Sequence, residues 1–82
     1  MMGGARKKIM DTMERIAVKS RDIAIVGYEI ATLTLEIAFR RGGVYHYSGV
    51  PVEIYQGLLS ASSQGKYFED RIKHKFPYQK IS

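Results

Sequence analysis

The sequence predicts an α+β domain: a three-stranded antiparallel β-meander packed against two C-terminal helices, preceded by an N-terminal amphipathic helix. Three observations carry that prediction. Residues 33–39, "LTLEIAF", alternate apolar and polar, the period of a half-buried strand. The flanking runs "DIAIVGYE" and "VYHYS" are rich in β-branched and aromatic residues and sit a short turn away on either side. Beyond Pro51 the apolar residues recur at helical spacing instead.

Residues 5–19, "ARKKIMDTMERIAVK", carry Ile9, Met13, Ile16 and Ala17 at helical spacing, with Asp11 and Arg15 as an i, i+4 pair, so a helix is expected there. We divide the chain into residues 1–17, this amphipathic extension, and residues 18–82, the domain proper. In "DIAIVGYE" Ile23 and Ile25 alternate with Ala24 and Val26, the pattern of a strand covered on both faces. The link from Glu29 to Thr32 is short enough for a hairpin. "RRGG" at 40–43 is a second turn, where glycine supplies positive φ. After it, "VPVEIYQGLLSA" reads as a helix: Pro51 suits a helix start, Glu53 complements the dipole, and Val50, Ile54, Leu58 and Ala61 form a stripe. Gly57 inside that stripe points to a short helix or to a close packing partner. Ser62 or Ser63 caps a last helix, "GKYFEDRIKHKF", whose Phe68, Ile72 and Phe76 face the core. Pro77 ends it, and "PYQKIS" is read as a tail.

At 82 residues the chain is one domain that buries roughly 60–65% of its unfolded surface. No apolar run approaches the roughly 18 residues of a membrane span, and none follows the basic start as in a secretory signal, so we expect a cytoplasmic protein with no membrane partner. Without cysteine there is no disulfide, and a structural zinc site is not expected. The net charge of +5 is uneven. Arg6, Lys7, Lys8, Arg15, Lys19 and Arg21 crowd the start, and Lys66, Arg71, Lys73, Lys75 and Lys80 crowd the end. If the ends meet, they form one positive patch suited to a polyanion.

Two groups of residues suggest a binding surface. On an ideal helix Tyr67, Arg71, His74 and Lys75 fall to one side of the Phe68 stripe, an aromatic and basic column suited to single-stranded nucleic acid. Its bland alternative is a solvated face with a half-buried tyrosine. Tyr45 and Tyr47 share one strand face and His46 points the other way. A three-residue loop with Gly42 as a bulge pairs Phe39 with Gly43 and turns both tyrosines toward the core. A two- or four-residue loop pairs Phe39 with Val44 and makes them an exposed stacking platform. We read the bulged turn. "SSQGKY" fails as a phosphate loop, since Ser60 stands where glycine is needed and Tyr67 where Ser or Thr is needed. An anion site at that helix start, with Lys66, is a weaker reading. His46 and His74 are the only histidines, and no carboxylate is evidently placed to orient His46 beside Ser48. No catalytic residue, metal ligand or cofactor is therefore assigned.

From about Val18 to Ile81 the chain resembles the KTSC domain family. The matching features are "VKSRDI", "GY" at 27–28, "LTLEIAF" at 33–39, "GGVYHY" at 42–47, "VP" at 50–51, and "SQGKYF" followed by "IKHKFPY". The tyrosine–any–tyrosine signature corresponds to Tyr45 and Tyr47. The resemblance implies a small domain, free-standing or appended to a lysyl-tRNA synthetase. That context suggests RNA by analogy and supplies no activity. Glu69 and Asp70 are more acidic than the family pattern after "YF", which weakens a polyanion surface there.

The expected function is thus a non-catalytic binding module for RNA or single-stranded nucleic acid, through Tyr45, Tyr47, Lys66, Tyr67, Arg71, Lys73 and Lys75. The rival expectation is a protein-interaction or self-association module, a homodimer through the N-terminal helix, with the tyrosines as core.

Overall fold

The computed structural model describes residues 13–82. Five antiparallel strands form one sheet in the order β1-β2-β3-β4-β5: β1 is Glu14–Ala17, β2 Ile23–Glu29, β3 Thr34–Phe39, β4 Val44–Tyr47 and β5 Tyr78–Lys80. Helices α1, Val52–Ser60, and α2, Gln64–Arg71, lie between β4 and β5 in sequence and cover one face of the sheet.

This corrects the expected architecture in two places. The stretch Glu14–Ala17 is not helical; it pairs with β2, Glu14 opposite Tyr28 and Ala17 opposite Ile25. Residues 5–12 of the expected helix lie outside the described residues. The segment read as a tail supplies a fifth strand, with Tyr78 opposite Tyr47 and Lys80 opposite Tyr45. Both edge strands gain their conformation from backbone pairing with a distant neighbour. Four- and three-residue runs carry no periodicity strong enough to announce that pairing.

The central meander follows the sequence closely. Tyr28 faces Leu35, Val26 faces Ile37, and Ile37 in turn faces Tyr45, so one row of side chains runs into the core. Ile23, Val26, Leu35, Ile37, Val50, Leu58 and Ile72 are fully buried beneath the helices. The apolar run in β2 does not mean two covered faces. A bulge between Ile23 and Ile25 puts Ile23 and Val26 into the core and leaves Ile25 on the open face. Arg40 ties the loop before β2 to the sheet: its guanidinium donates to the carbonyls of Val18 and Ser20, both at 2.7 Å.

Phe39 pairs with Gly43 around a three-residue loop, and the Gly42 N–H donates to the Phe39 carbonyl at 2.9 Å. Gly42 and Gly43 take φ of 113° and 97°, which a β-carbon would oppose. The bulged turn is therefore the one present, and both tyrosines of the signature lie on the core side.

In α1, Pro51 sits at the cap rather than inside the first turn. Gly57 has the close partner its position implied: the hydroxyl end of the Tyr67 ring lies against it, and the Tyr67 hydroxyl donates to the Ile54 carbonyl at 3.1 Å. Ser63 caps α2, its hydroxyl accepting from the Lys66 N–H at 3.3 Å. This helix ends at Arg71, earlier than the Phe68/Ile72/Phe76 stripe suggested, and His74 turns left-handed with φ of 67°. Phe68 and Ile72 are buried nonetheless, and Phe76 packs at the edge of the core.

Candidate functional site

The register of the β3–β4 hairpin determines what can assemble beside it. With Ile37 opposite Tyr45 and Leu35 opposite Tyr47, both tyrosine rings emerge toward the helices. Strand β5 then lays Tyr78 across them, 5.8 Å from Tyr45 and 5.7 Å from Tyr47 between ring centroids. Phe68 from α2 meets Tyr47 edge-on at 5.5 Å and Phe39 at the same distance. Five rings thus form one cluster, in the tilted and edge-on geometries that aromatic quadrupoles favour. Its burial is graded: Tyr47 is 5% exposed, Tyr45 is half-buried, and Tyr78 is 62% exposed. Burial pushes the Tyr47 phenol up to about 12, with the neighbouring Tyr45 and Tyr78 phenols adding to the effect.

An open cleft of about 500 Å³ lies between this cluster and α2, lined from Gly65 at the helix start to His74 beyond its end. Ile23, Phe39, Tyr47 and Phe68 make its apolar floor, and Tyr45 and Tyr78 its aromatic wall. The rim carries Arg41 from the hairpin turn and Lys73 and His74 from the segment after α2. Asp22 and Glu69 share that rim, so the two permanent cations are matched by two carboxylates.

Of the residues expected to bind, Tyr45, Tyr47 and Lys73 line this cleft. Lys66, Tyr67, Arg71 and Lys75 do not. Tyr67 is held in the seam between the helices. Arg71 stacks over its ring with the guanidinium carbon 5.8 Å from the centroid. Lys66 lies 3.5 Å from Asp70 one turn along. Because α2 stops at Arg71, His74 and Lys75 do not extend the column drawn on an ideal helix. His74 turns into the cleft instead, and Lys75 is exposed. Arg41, Glu69 and Tyr78 were not singled out as site residues. No periodicity marked Tyr78, since only its pairing with Tyr47 brings it there.

The opposite face of the sheet holds a second polar group. Arg15, Gly27, Glu36, His46 and Gln79 form one cross-strand row. Glu36, 7% exposed, accepts from Arg15 Nε at 2.8 Å and lies 2.8 Å from His46 Nε2. The Arg15 guanidinium hydrogen-bonded to Glu36 holds its carboxyl below the ordinary value; burial opposes this and His46 assists it. Glu36 is the carboxylate that the sequence reading did not find for His46. The pairing of Phe39 with Gly43 already implied it, because the same register sets Glu36 opposite His46. Gly27 lets the row close: a β-carbon there would lie 3.1 Å from Arg15 Cγ and 2.7 Å from Met13 Sδ. Among the described residues no three His, Asp or Glu side chains gather to hold a metal, and no helix is long and apolar enough to cross a membrane.

Comparison with known proteins places these features in a family. The KTSC domain model matches residues 19–76. An uncharacterized protein of Stutzerimonas stutzeri (strain A1501) is 38% identical over 61 residues, covering 74% of this chain and 86% of that protein. A lysine–tRNA ligase of Trichormus variabilis is 44% identical over 55 residues, which are 67% of this chain and 10% of the ligase. The crystal structure of a KTSC domain protein from Yersinia pestis superposes with a TM-score of 0.84 at 42% identity, covering 87% of this chain and all of that one.

Proposed function

The chain belongs to the KTSC domain family, and on that premise we propose that it is a non-catalytic module binding single-stranded RNA by stacking an unpaired base in the Tyr45/Tyr78 cleft. The observation that carries the reading is a tyrosine wall, Tyr78 exposed and Tyr45 half-buried, over an apolar floor, with Arg41 and Lys73 on the rim. A ring stacked on such a wall contributes about 1–3 kcal/mol per base, and every base has a face to offer. Arg41 and Lys73 line the cleft and would meet flanking phosphates in this reading, and a net charge of +5 favours approach of a polyanion. The similarity to a segment of a lysine–tRNA ligase supports RNA as the polyanion, by analogy.

The site shifts from the helix face to the cleft, and the expected salt dependence shifts with it. Two phosphate contacts give a log–log slope of about −1.4 for a single strand. Fluorescence anisotropy with labelled single-stranded RNA at about 50 mM salt tests the reading. Tyr78→Ala should weaken binding roughly 5- to 150-fold, and Tyr67→Phe should leave it unchanged. If wild-type protein binds no short RNA at that salt, the reading fails.

A second reading, a protein-interaction or self-association module, rests on the two outer strands. Among the described residues β1 and β5 each pair on one side only, and all their residues are exposed. Such edges accept an added strand. Concentration-dependent dimerisation in sedimentation, with no RNA binding, is the outcome that favours it.

A further inference from the structure

We infer that Glu69 makes the cleft selective for bases that offer N–H donors, guanine above all, over uracil. The inference rests on the RNA-binding reading and deepens it. A rim that only gathered phosphates would be basic throughout. This one holds two carboxylates beside its two cations. Asp22 has a structural reason to be there, since its Oδ2 lies against Gly65 at the start of α2, the positive end of the helix dipole. Glu69 has none. It sits in the last turn of α2, exposed, with no hydrogen bond or ion pair among the described residues, while its neighbour Asp70 takes Lys66.

An ionised carboxylate only accepts hydrogen bonds. It therefore repels phosphate and rewards a donor-rich edge. Guanine presents N1–H and the N2 amino group side by side, matching the two carboxylate oxygens. Adenine and cytosine present one amino group beside an acceptor. Uracil presents a single N–H flanked by two carbonyls, which a carboxylate repels. The Tyr45 and Tyr78 rings are inclined at 52°, so a base stacks on the exposed Tyr78 face, and Glu69 lines the same cleft within reach of that base's edge.

The test uses four RNA pentamers, UUGUU, UUAUU, UUCUU and UUUUU, against the whole chain. The expected order is G first and U last, with about a tenfold or larger gap between UUGUU and UUUUU. Glu69→Ala should bring that gap within about twofold while UUUUU binds as well as before or better. Asp22→Asn, which changes the other carboxylate, should keep the order. Equal binding of all four pentamers overturns the inference and leaves the RNA reading standing. So does a preference that survives Glu69→Ala, or an equal gain for all four pentamers in that variant. Absence of binding by any pentamer removes both.

Discussion

Alanine at position 57 should destabilise this protein, although glycine-to-alanine in an open helix interior stabilises by about 1 kcal/mol. The sign turns on Tyr67. A β-carbon on Gly57 would lie 2.8 Å from Tyr67 Cζ and 3.1 Å from Cε2, and would overlap the hydroxyl oxygen. The ring is not a loose end free to swing aside, because its hydroxyl is bonded to the Ile54 carbonyl at 3.1 Å. Forcing it out costs about 1–3 kcal/mol in overpacking, plus about 1 kcal/mol for the weakened hydrogen bond. Set against the helical gain, the net loss is about 1–3 kcal/mol, or roughly 4–8 °C in Tm per kcal/mol at this chain size. Urea unfolding followed by circular dichroism measures it. In a Tyr67→Ala background the obstacle is gone, and Gly57→Ala should then stabilise by about 1 kcal/mol. A stabilising Gly57→Ala in the wild-type background, or the same effect in both backgrounds, refutes this account of the seam.

Further consequences concern charge and backbone. Glu36 has a lowered folded pKa, so its ionised form stabilises the fold above its ordinary value of 4.5, and that contribution fades as the pH falls below it. Glu36→Gln should cost about 1 kcal/mol near neutral pH, modest because Arg15 is 41% exposed, and the gap to wild type should narrow as urea unfolding is repeated toward about pH 3. Tyr47 should ionise near pH 12 in a spectrophotometric titration, and Tyr28 and Tyr55 also above the ordinary 10. The raised Tyr47 pKa means stability present below the ordinary 10 and lost as the pH climbs from there toward 12, so Tyr47→Phe should blunt alkaline unfolding. Leu33 holds φ of 56°, which costs a leucine about 1–2 kcal/mol; Leu33→Asn should raise the urea midpoint by the equivalent of about 0.5–1 kcal/mol.

What could be read from the residues alone follows from where the folding information is local. "LTLEIAF" fixes its own faces by alternation, and the glycines after Arg41 fix the loop, so β3, β4 and the side taken by both tyrosines were legible. "ERIA" is different. Its residues continue a helical spacing begun at Ile9, and what makes it a strand is a bare Gly27 over which Arg15 reaches Glu36. Tyr78 likewise has no local signature. In α2 the apolar spacing runs on through Phe76, but the helix stops at Arg71 and His74 turns left-handed, which is why His74 and Lys75 do not extend the column begun by Tyr67 and Arg71. The cleft was half legible: Tyr45, Tyr47 and Lys73 were named, whereas Tyr78, Arg41 and Glu69 reach it through tertiary placement.

The position of β5 in the chain bears on when the cleft exists. The hairpins β2–β3 and β3–β4 close over a few residues each, while β5 must return from beyond both helices to meet β4. Contacts that close long loops meet their entropy cost before any reward, so β5 docks late in folding. It is also three residues long and exposed along its length, the kind of segment that opens at lower cost than the core. The aromatic wall is therefore complete only in the fraction of molecules with β5 docked. The apparent affinity of any ligand stacked on Tyr78 is reduced by that fraction, and the ligand in turn fastens the strand that holds it.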